Sequence, residues 1–291
     1  MPVAIITGAS KGLGRALAEA LAVRGWDLVV DARSAGPLEE AARGLRSVGA
    51  RVVALPGDVT DGGHRAALVA AAGELGGLDL LVNNASALGA EPLVRLAELP
   101  LEGFRRALEV NAVAPLGMIK EAMPLLRGSR NFSYLSSYGA DAPYIGDAPR
   151  GGDAGKGETY DPHPYSGNTQ NAKLSVSSTY SGVAGAILTI SSDAAVEAYP
   201  TWGGYGASKA ALEQQSAVLA EEEPGLRVWW VDPGDMRTDL YAAAVPDDDV
   251  SGRPAPATVV PALLRLLDEA APSGRYTAAG LRAGSGTVGS R

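Results

Sequence analysis

The sequence predicts a doubly wound parallel α/β sheet in a single domain over residues 1–282, followed by a flexible tail at 283–291. Short apolar runs rich in β-branched residues alternate with stretches of helical spacing, which is the pattern of strands joined by crossover helices. Several of these runs are continuously apolar, as strands buried on both faces are. A glycine-rich turn joins the first run to the first helix. The 291 residues, 46% hydrophobic, fit one large α/β domain or two small ones.

The elements follow in order. Val3 to Thr7 reads as a buried strand, Gly8-Ala9-Ser10-Lys11-Gly12-Leu13-Gly14 as the turn, and Arg15 to Arg24 as a helix. Glycine lets a backbone approach a pyrophosphate, and a helix amino terminus offers free N–H groups to it. The same spacing also suits a tight turn that holds nothing. Trp26 to Asp31 forms a second strand, and the residues after it are expected at an adenosine ribose. Arg33 and Lys11 both suit a 2′-phosphate, whereas Asp31 suits the free 2′-hydroxyl of NAD. Extended backbone points Asp31 and Arg33 the same way, so the two could equally pair with each other.

Val52 to Leu55 is a third strand. Asp58 beyond it either accepts from an adenine amino group or caps a helix beginning near Thr60. Leu78 to Val82 is a fourth strand, leading to Asn83-Asn84-Ala85-Ser86. A helix over 101–126 carries Asn111 midway, where asparagine is a poor helix former. Ala186 to Ser192 is a fifth strand, Tyr205 to Glu222 a helix, and Leu226 to Val231 a sixth strand. A short helix and a substrate loop over 241–256 precede a helix at 257–267 and an edge strand at Gly274 to Thr277.

Composition narrows the chemistry. Cysteine is absent and His64 and His163 are the two histidines, so thiol nucleophiles, disulfides and histidine-rich metal sites are not expected. A net charge of −8, with no basic block, argues against nucleic acid. No apolar run has the roughly 20 residues of a membrane helix, and the start has no signal-peptide pattern. A cytoplasmic protein acting on a small molecule is the expectation. The acidic run 247–249 reads as solvated surface.

Tyr205-Gly-Ala-Ser-Lys209 carries the reactive groups. Four-residue spacing sets phenol and ammonium on one helix face, and a nearby cation lowers a phenol pKa from about 10. Ser192 sits where a buried strand surfaces, so its hydroxyl could hold a substrate oxygen while Tyr205 moves the proton. An exposed helix with an incidental Tyr and Lys would show the same spacing.

Taken together, Thr7-Gly8-x-x-x-Gly12-x-Gly14, Asp58, Asn83-Asn84-Ala85, Asn111, Ser192, Tyr205-x-x-x-Lys209 and Pro233-Gly234 resemble the short-chain dehydrogenase/reductase family, over roughly 1–127 and 185–282. The resemblance implies a Rossmann-like fold, with Tyr205 as proton donor and Lys209 lowering its pKa. Ser192 would bind the carbonyl oxygen and Asn111 would support a proton relay. It places Gly8, Ser10, Lys11, Gly12, Leu13, Gly14, Arg33, Asp58, Val59, Asn84, Ala85, Pro233, Gly234, Met236 and Thr238 at the cofactor, with Tyr205 and Lys209 at its nicotinamide end. Ala32-Arg33 and Lys11 match the NADP-preferring pattern, with NAD possible. The implied activity is hydride transfer between NADP(H) and a carbonyl or secondary alcohol, in a homodimer or homotetramer. Ala87, Leu88, Trp202 and the loop near Tyr241 imply a mainly apolar substrate pocket. An NAD-dependent alcohol dehydrogenase, or a cofactor-binding scaffold without catalysis, are the rival readings.

The departure is at 128–184, an insertion holding six of the ten tyrosines and the glycine-rich stretch 151–157. It contains an echo of the serine strand ending at Ser137, but none of Tyr138, Tyr144, Tyr160 or Tyr165 has lysine four positions on. Topology places the insertion at the sheet edge opposite the chemistry, so it is not expected to be a substrate lid.

Overall fold

A computed structural model describes residues 1–129 and 184–283. Seven strands form one parallel sheet in the order β3-β2-β1-β4-β5-β6-β7. They are β1 (Val3–Ile6), β2 (Asp27–Ala32), β3 (Val52–Pro56), β4 (Leu80–Asn83), β5 (Ala186–Ile190), β6 (Arg227–Asp232) and β7 (Gly274–Thr277). The chain begins in the centre, winds outward to β3, then returns past β1 and winds the other way. The reversal lies between β1 and β4, and the ends of these strands open onto the site. The expected Rossmann-like single domain is what forms.

Alternation along the strands supplies both faces. Ala4, Ile6, Leu28, Val30, Leu80 and Val82 pack on one side, with helices α1 (Gly12–Val23), α2 (Ala35–Ser47), α8 (Val260–Asp268) and α9 (Ala278–Ala283). Val3, Ile5, Val29, Leu81, Ile187 and Val228 pack on the other. That face is covered by α3 (Gly62–Leu75), α5 (Ala114–Arg127) and α6 (Gly203–Glu222), with α4 (Leu101–Leu108) packed on α6. A short helix, α7 (Asp239–Ala244), follows β6 near the site.

Two local departures from expectation have clear causes. Helix α1 starts at Gly12, inside the stretch read as turn, because only Gly8 to Lys11 is needed to reverse the chain. Helix α3 is capped by Asp61, whose side chain accepts from His64 N–H at 3.0 Å, and not by Asp58. Asn111 lies in a π-helical turn, Glu109–Val113, that joins α4 to α5. The extra backbone residue of such a turn is common at functional sites and explains how asparagine fits midway along the helix.

Residues 130–183 of the insertion, and 284–291 of the tail, lie outside the described residues. The two attachment points are described. Ser129 Oγ donates to Asp79 Oδ1 at 2.5 Å, and the Ala186 amide donates to the carbonyl of the same Asp79 at 2.9 Å. Ser129 N–H is bonded to the Leu126 carbonyl, and a Cβ built on Gly185 would meet that same oxygen at 3.0 Å. Both ends thus meet at the start of β5, at the edge opposite the strand ends that carry Ser192. Deleting 130–183 and joining Ser129 to Ala184 should therefore preserve cooperative folding, since loop length itself costs little. Thermal unfolding followed by circular dichroism checks this; loss of a folded baseline would show that the segment is structurally required.

Candidate active site

A cleft of about 610 Å³ runs along the carboxyl ends of the strands, from Arg33 at one end to Trp202 and Tyr241 at the other. The glycine turn forms its floor. Gly8 has φ +69°, and a Cβ there would press on Ala85 at 3.0 Å; a Cβ on Gly14 would fall 2.5 Å from the Gly8 carbonyl oxygen. Both positions require glycine for opposite reasons, one for its backbone angle and one for a close approach. Asn84 locks the turn by donating its Nδ2 to the carbonyls of Thr7 and Gly8 at 2.8 and 3.1 Å. The turn and the amino terminus of α1 together form a cradle fit for phosphate, with backbone N–H groups and a favourable dipole. Gly14 lies beneath the cradle and does not face the cleft; Ser10, Lys11, Gly12 and Leu13 do.

The ribose end differs from the sequence expectation. Asp31 is 2% exposed and points inward, with Oδ1 accepting from Gly8 N–H at 2.7 Å and Oδ2 facing His64 Nε2 at 3.1 Å. It is therefore engaged with its own chain and does not pair with Arg33. Arg33 is exposed just past β2, with no ion-pair partner among the described residues. Lys11 forms an ion pair with Asp239 at 2.6 Å, with both side chains largely exposed. Asp58 accepts from Thr60 N–H, from Thr60 Oγ1 and from Arg106. Burial raises its pKa, but these hydrogen bonds outweigh burial and hold it at about 2. Val59, Asn84 and Ala85 continue the cleft wall, and Pro233, Gly234, Met236 and Thr238 form the wall opposite.

Ser192, Tyr205 and Lys209 come together at the other end. Tyr205 is buried beside Leu88 and Ala244, with Trp202 edge-on at 5.7 Å between ring centroids. Lys209 is 2% exposed; its Nζ donates to the Ile190 carbonyl at 2.8 Å and stands 5.5 Å from the Tyr205 ring centroid. Burial pushes the Tyr205 phenol up to about 12, against a hydrogen bond with Ser86 that lowers it, and the charges of Asp232 and Asp193 raise it further. Burial also drives Lys209 down to about 7, with the Glu213 carboxylate opposing. The phenol is thus raised where a lowering by lysine was expected, and desolvation by burial is the largest influence on it. Ser192 Oγ donates to Asp193 Oδ1 at 3.0 Å and lines the cleft.

Asn111 does not face the cleft. Its Oδ1 accepts from Ser86 Oγ and Ala87 N–H, while its Nδ2 donates to the Ala87 carbonyl and to Ser208 Oγ, both at 2.8 Å. Its side chain ties the loop under Tyr205 to the helix carrying Lys209. Sequence reasoning missed Ser86 and Ser208 as contacts, and Asp31 as the brace of the glycine turn. The spacing of Glu213, four residues after Lys209, was the available signal for that residue. The loop after α7 is pinned: Arg253 bonds Asp235 and Asp248, and Tyr241 Oη donates to Asp248. Asp248 of the acidic run is thereby paired.

Comparison with known proteins bears on the family and the fold. The family model for short chain dehydrogenase matches residues 2–133 and 169–249, leaving 134–168 of the insertion unmatched. The chain is 43% identical over 110 residues to cis-4-hydroxycyclohexanecarboxylate dehydrogenase of Sinomonas cyclohexanicum, covering 38% of this chain and 43% of that protein. It is 28% identical over 265 residues to glycine betaine reductase of Emericella nidulans, covering 89% of this chain and 16% of that protein. The chain thus spans less than half the length of either relative. In fold it matches an alcohol dehydrogenase from the archaeon Thermococcus sibiricus complexed with 5-hydroxy-NADP, with a TM-score of 0.69 at 23% identity over 95% of both chains. With its family pattern matched over most of the chain and its parallel sheet in place, the protein belongs to the short-chain dehydrogenase family of oxidoreductases.

Proposed function

We propose that the protein transfers hydride reversibly between NADP(H) and a carbonyl or secondary alcohol of a small, mainly apolar substrate. The observation that carries this reading is the opening of the Gly8–Leu13 cradle and of Ser192, Tyr205 and Lys209 onto one cleft. When bound, the nicotinamide supplies or accepts the hydride. The chain's own groups do the rest. The Tyr205 phenol, kept protonated by burial, holds the proton due to the carbonyl oxygen. Ser192 offers a second hydroxyl to that oxygen, and Lys209 places an ammonium behind the phenol. Leu88, Trp202 and Ala244 supply apolar walls that exclude water.

NADP preference is supported by Arg33, exposed and without an ion-pair partner among the described residues, and by the engagement of the Asp31 carboxylate with Gly8 N–H and His64. The Lys11–Asp239 pair is surface-exposed and cheap to rearrange toward a phosphate. The Thermococcus sibiricus protein, solved with 5-hydroxy-NADP, is consistent with this choice. Fluorescence titration should show NADPH binding more tightly than NADH. Arg33→Ala should weaken NADPH roughly tenfold, by about 1.4 kcal/mol, and leave NADH unchanged. Equal loss for both nucleotides, or none, would assign Arg33 no part in the 2′-phosphate site. We further infer a cytoplasmic homodimer or homotetramer, consistent with the exposed apolar Val113, Leu116 and Val218 on neighbouring helices.

A further inference from the structure

Behind Tyr205 and Lys209 the same face of α6 carries a third group. Glu213 follows Lys209 by one turn and Tyr205 by two, and it is 8% exposed. Ser191 Oγ donates to its Oε1 at 2.6 Å. Arg275 of β7 donates Nε to both carboxylate oxygens, at 3.1 and 3.0 Å. The other arm of Arg275 donates to the Ser192 carbonyl at 3.3 Å. Ile190, Ser191 and Ser192 are thus gripped in succession by Lys209, Glu213 and Arg275. Arg275 lies outside the segments matched by the family model.

A buried ion pair is a costly way to tie β7 to α6, since two apolar side chains would avoid the desolvation penalty. Apolar side chains would not place a carboxylate one turn from Lys209, nor anchor it through a planar fork to the serine segment. We infer that Glu213 and Arg275 are positioning residues for Lys209: Glu213 holds the ammonium behind Tyr205, and Arg275, anchored on the Ser192 carbonyl, holds Glu213. The inference rests on the reading of Ser192, Tyr205 and Lys209 as the reacting groups.

The charged surroundings allow a direct test. On α6, Lys209 lies between the Tyr205 phenol and Glu213, and the Ile190 carbonyl meets it from β5. Asp193, after β5, and Asp232 of β6 act on Tyr205, while Arg275 acts on Glu213 and Asp232. The chain has five lysines, so NMR of the full-length protein labelled with [ε-13C]lysine resolves few signals. That of Lys209 is assigned by its loss in Lys209→Arg.

A pH titration of this signal should show the midpoint falling by about half a unit or more in Glu213→Gln, where the carboxylate charge is gone but an acceptor for Ser191 remains. The midpoint should rise in Arg275→Met, where Lys209 becomes the remaining cation near Glu213, and return toward wild type in Arg275→Lys. A purely structural tie would not move the two midpoints in opposite directions. Midpoints that coincide in wild type and Glu213→Gln, or that shift the same way in Glu213→Gln and Arg275→Met, would overturn the inference. The readout needs neither substrate nor turnover. Failure of the functional reading would show separately, as a wild type that binds no NADPH.

Discussion

Replacing Tyr205 with phenylalanine should leave NADPH affinity within twofold of wild type and cut turnover by roughly a hundred- to ten-thousand-fold, the range expected for loss of a positioned proton donor. Phenylalanine keeps the ring that packs on Trp202 and lies under Lys209 Nζ. It removes only the hydroxyl and its bond to Ser86. The phosphate cradle is built from other elements, so binding and chemistry should separate cleanly. The measurement is NADPH titration followed by NADPH oxidation with a panel of small ketones and aldehydes. Turnover near the wild-type rate would remove Tyr205 from the mechanism. Because burial keeps the phenol protonated far above neutrality, loss of reduction with rising pH should follow Lys209, whose pKa lies at about 7.

What the sequence disclosed, and what it withheld, divides along physical lines. Strand periodicity is a local property, so the seven strands were legible from runs such as 3–7 and 186–192, whereas helices α2 and α9 were not assigned from the sequence. The glycine spacing was legible because glycine marks backbone needs that no other residue meets. Asn111 stood out as a poor helix former, but the π turn that accommodates it was not foreseeable from residue type. Partners distant in sequence were hidden. Asp31 looked like a ribose ligand because its neighbours suggested strand direction alone; its burial against Gly8 and His64 depends on how β1, β2 and α3 converge. Asp58 looked like a cap, yet Asp61 sits closer to the helix start and takes that role. Arg275 and Glu213 meet only because β7 is added beside β6 at the sheet edge.

The same burial that tunes Lys209 has a consequence for stability. Lys209→Met should abolish most turnover and also stabilise the fold. A lysine whose pKa is depressed to about 7 from an ordinary 10.5 is held in a place that disfavours its charge. Between those two values the unfolded chain binds a proton that the folded chain does not, so this residue makes stability rise with pH across that window. Below pH 7 the full penalty is present, on the order of a few kcal/mol. Methionine fills a similar volume without a charge to desolvate. The substitution forfeits the bond to the Ile190 carbonyl, about 1 kcal/mol, while Glu213 keeps Arg275 as its partner. Denaturant unfolding at pH 6 and pH 9 should therefore show the variant more stable than wild type at pH 6, with the gap narrowing at pH 9. A gap that widens toward pH 9 would mean that Lys209 is comfortably charged where it stands, and that its placement behind Tyr205 carries no stability cost.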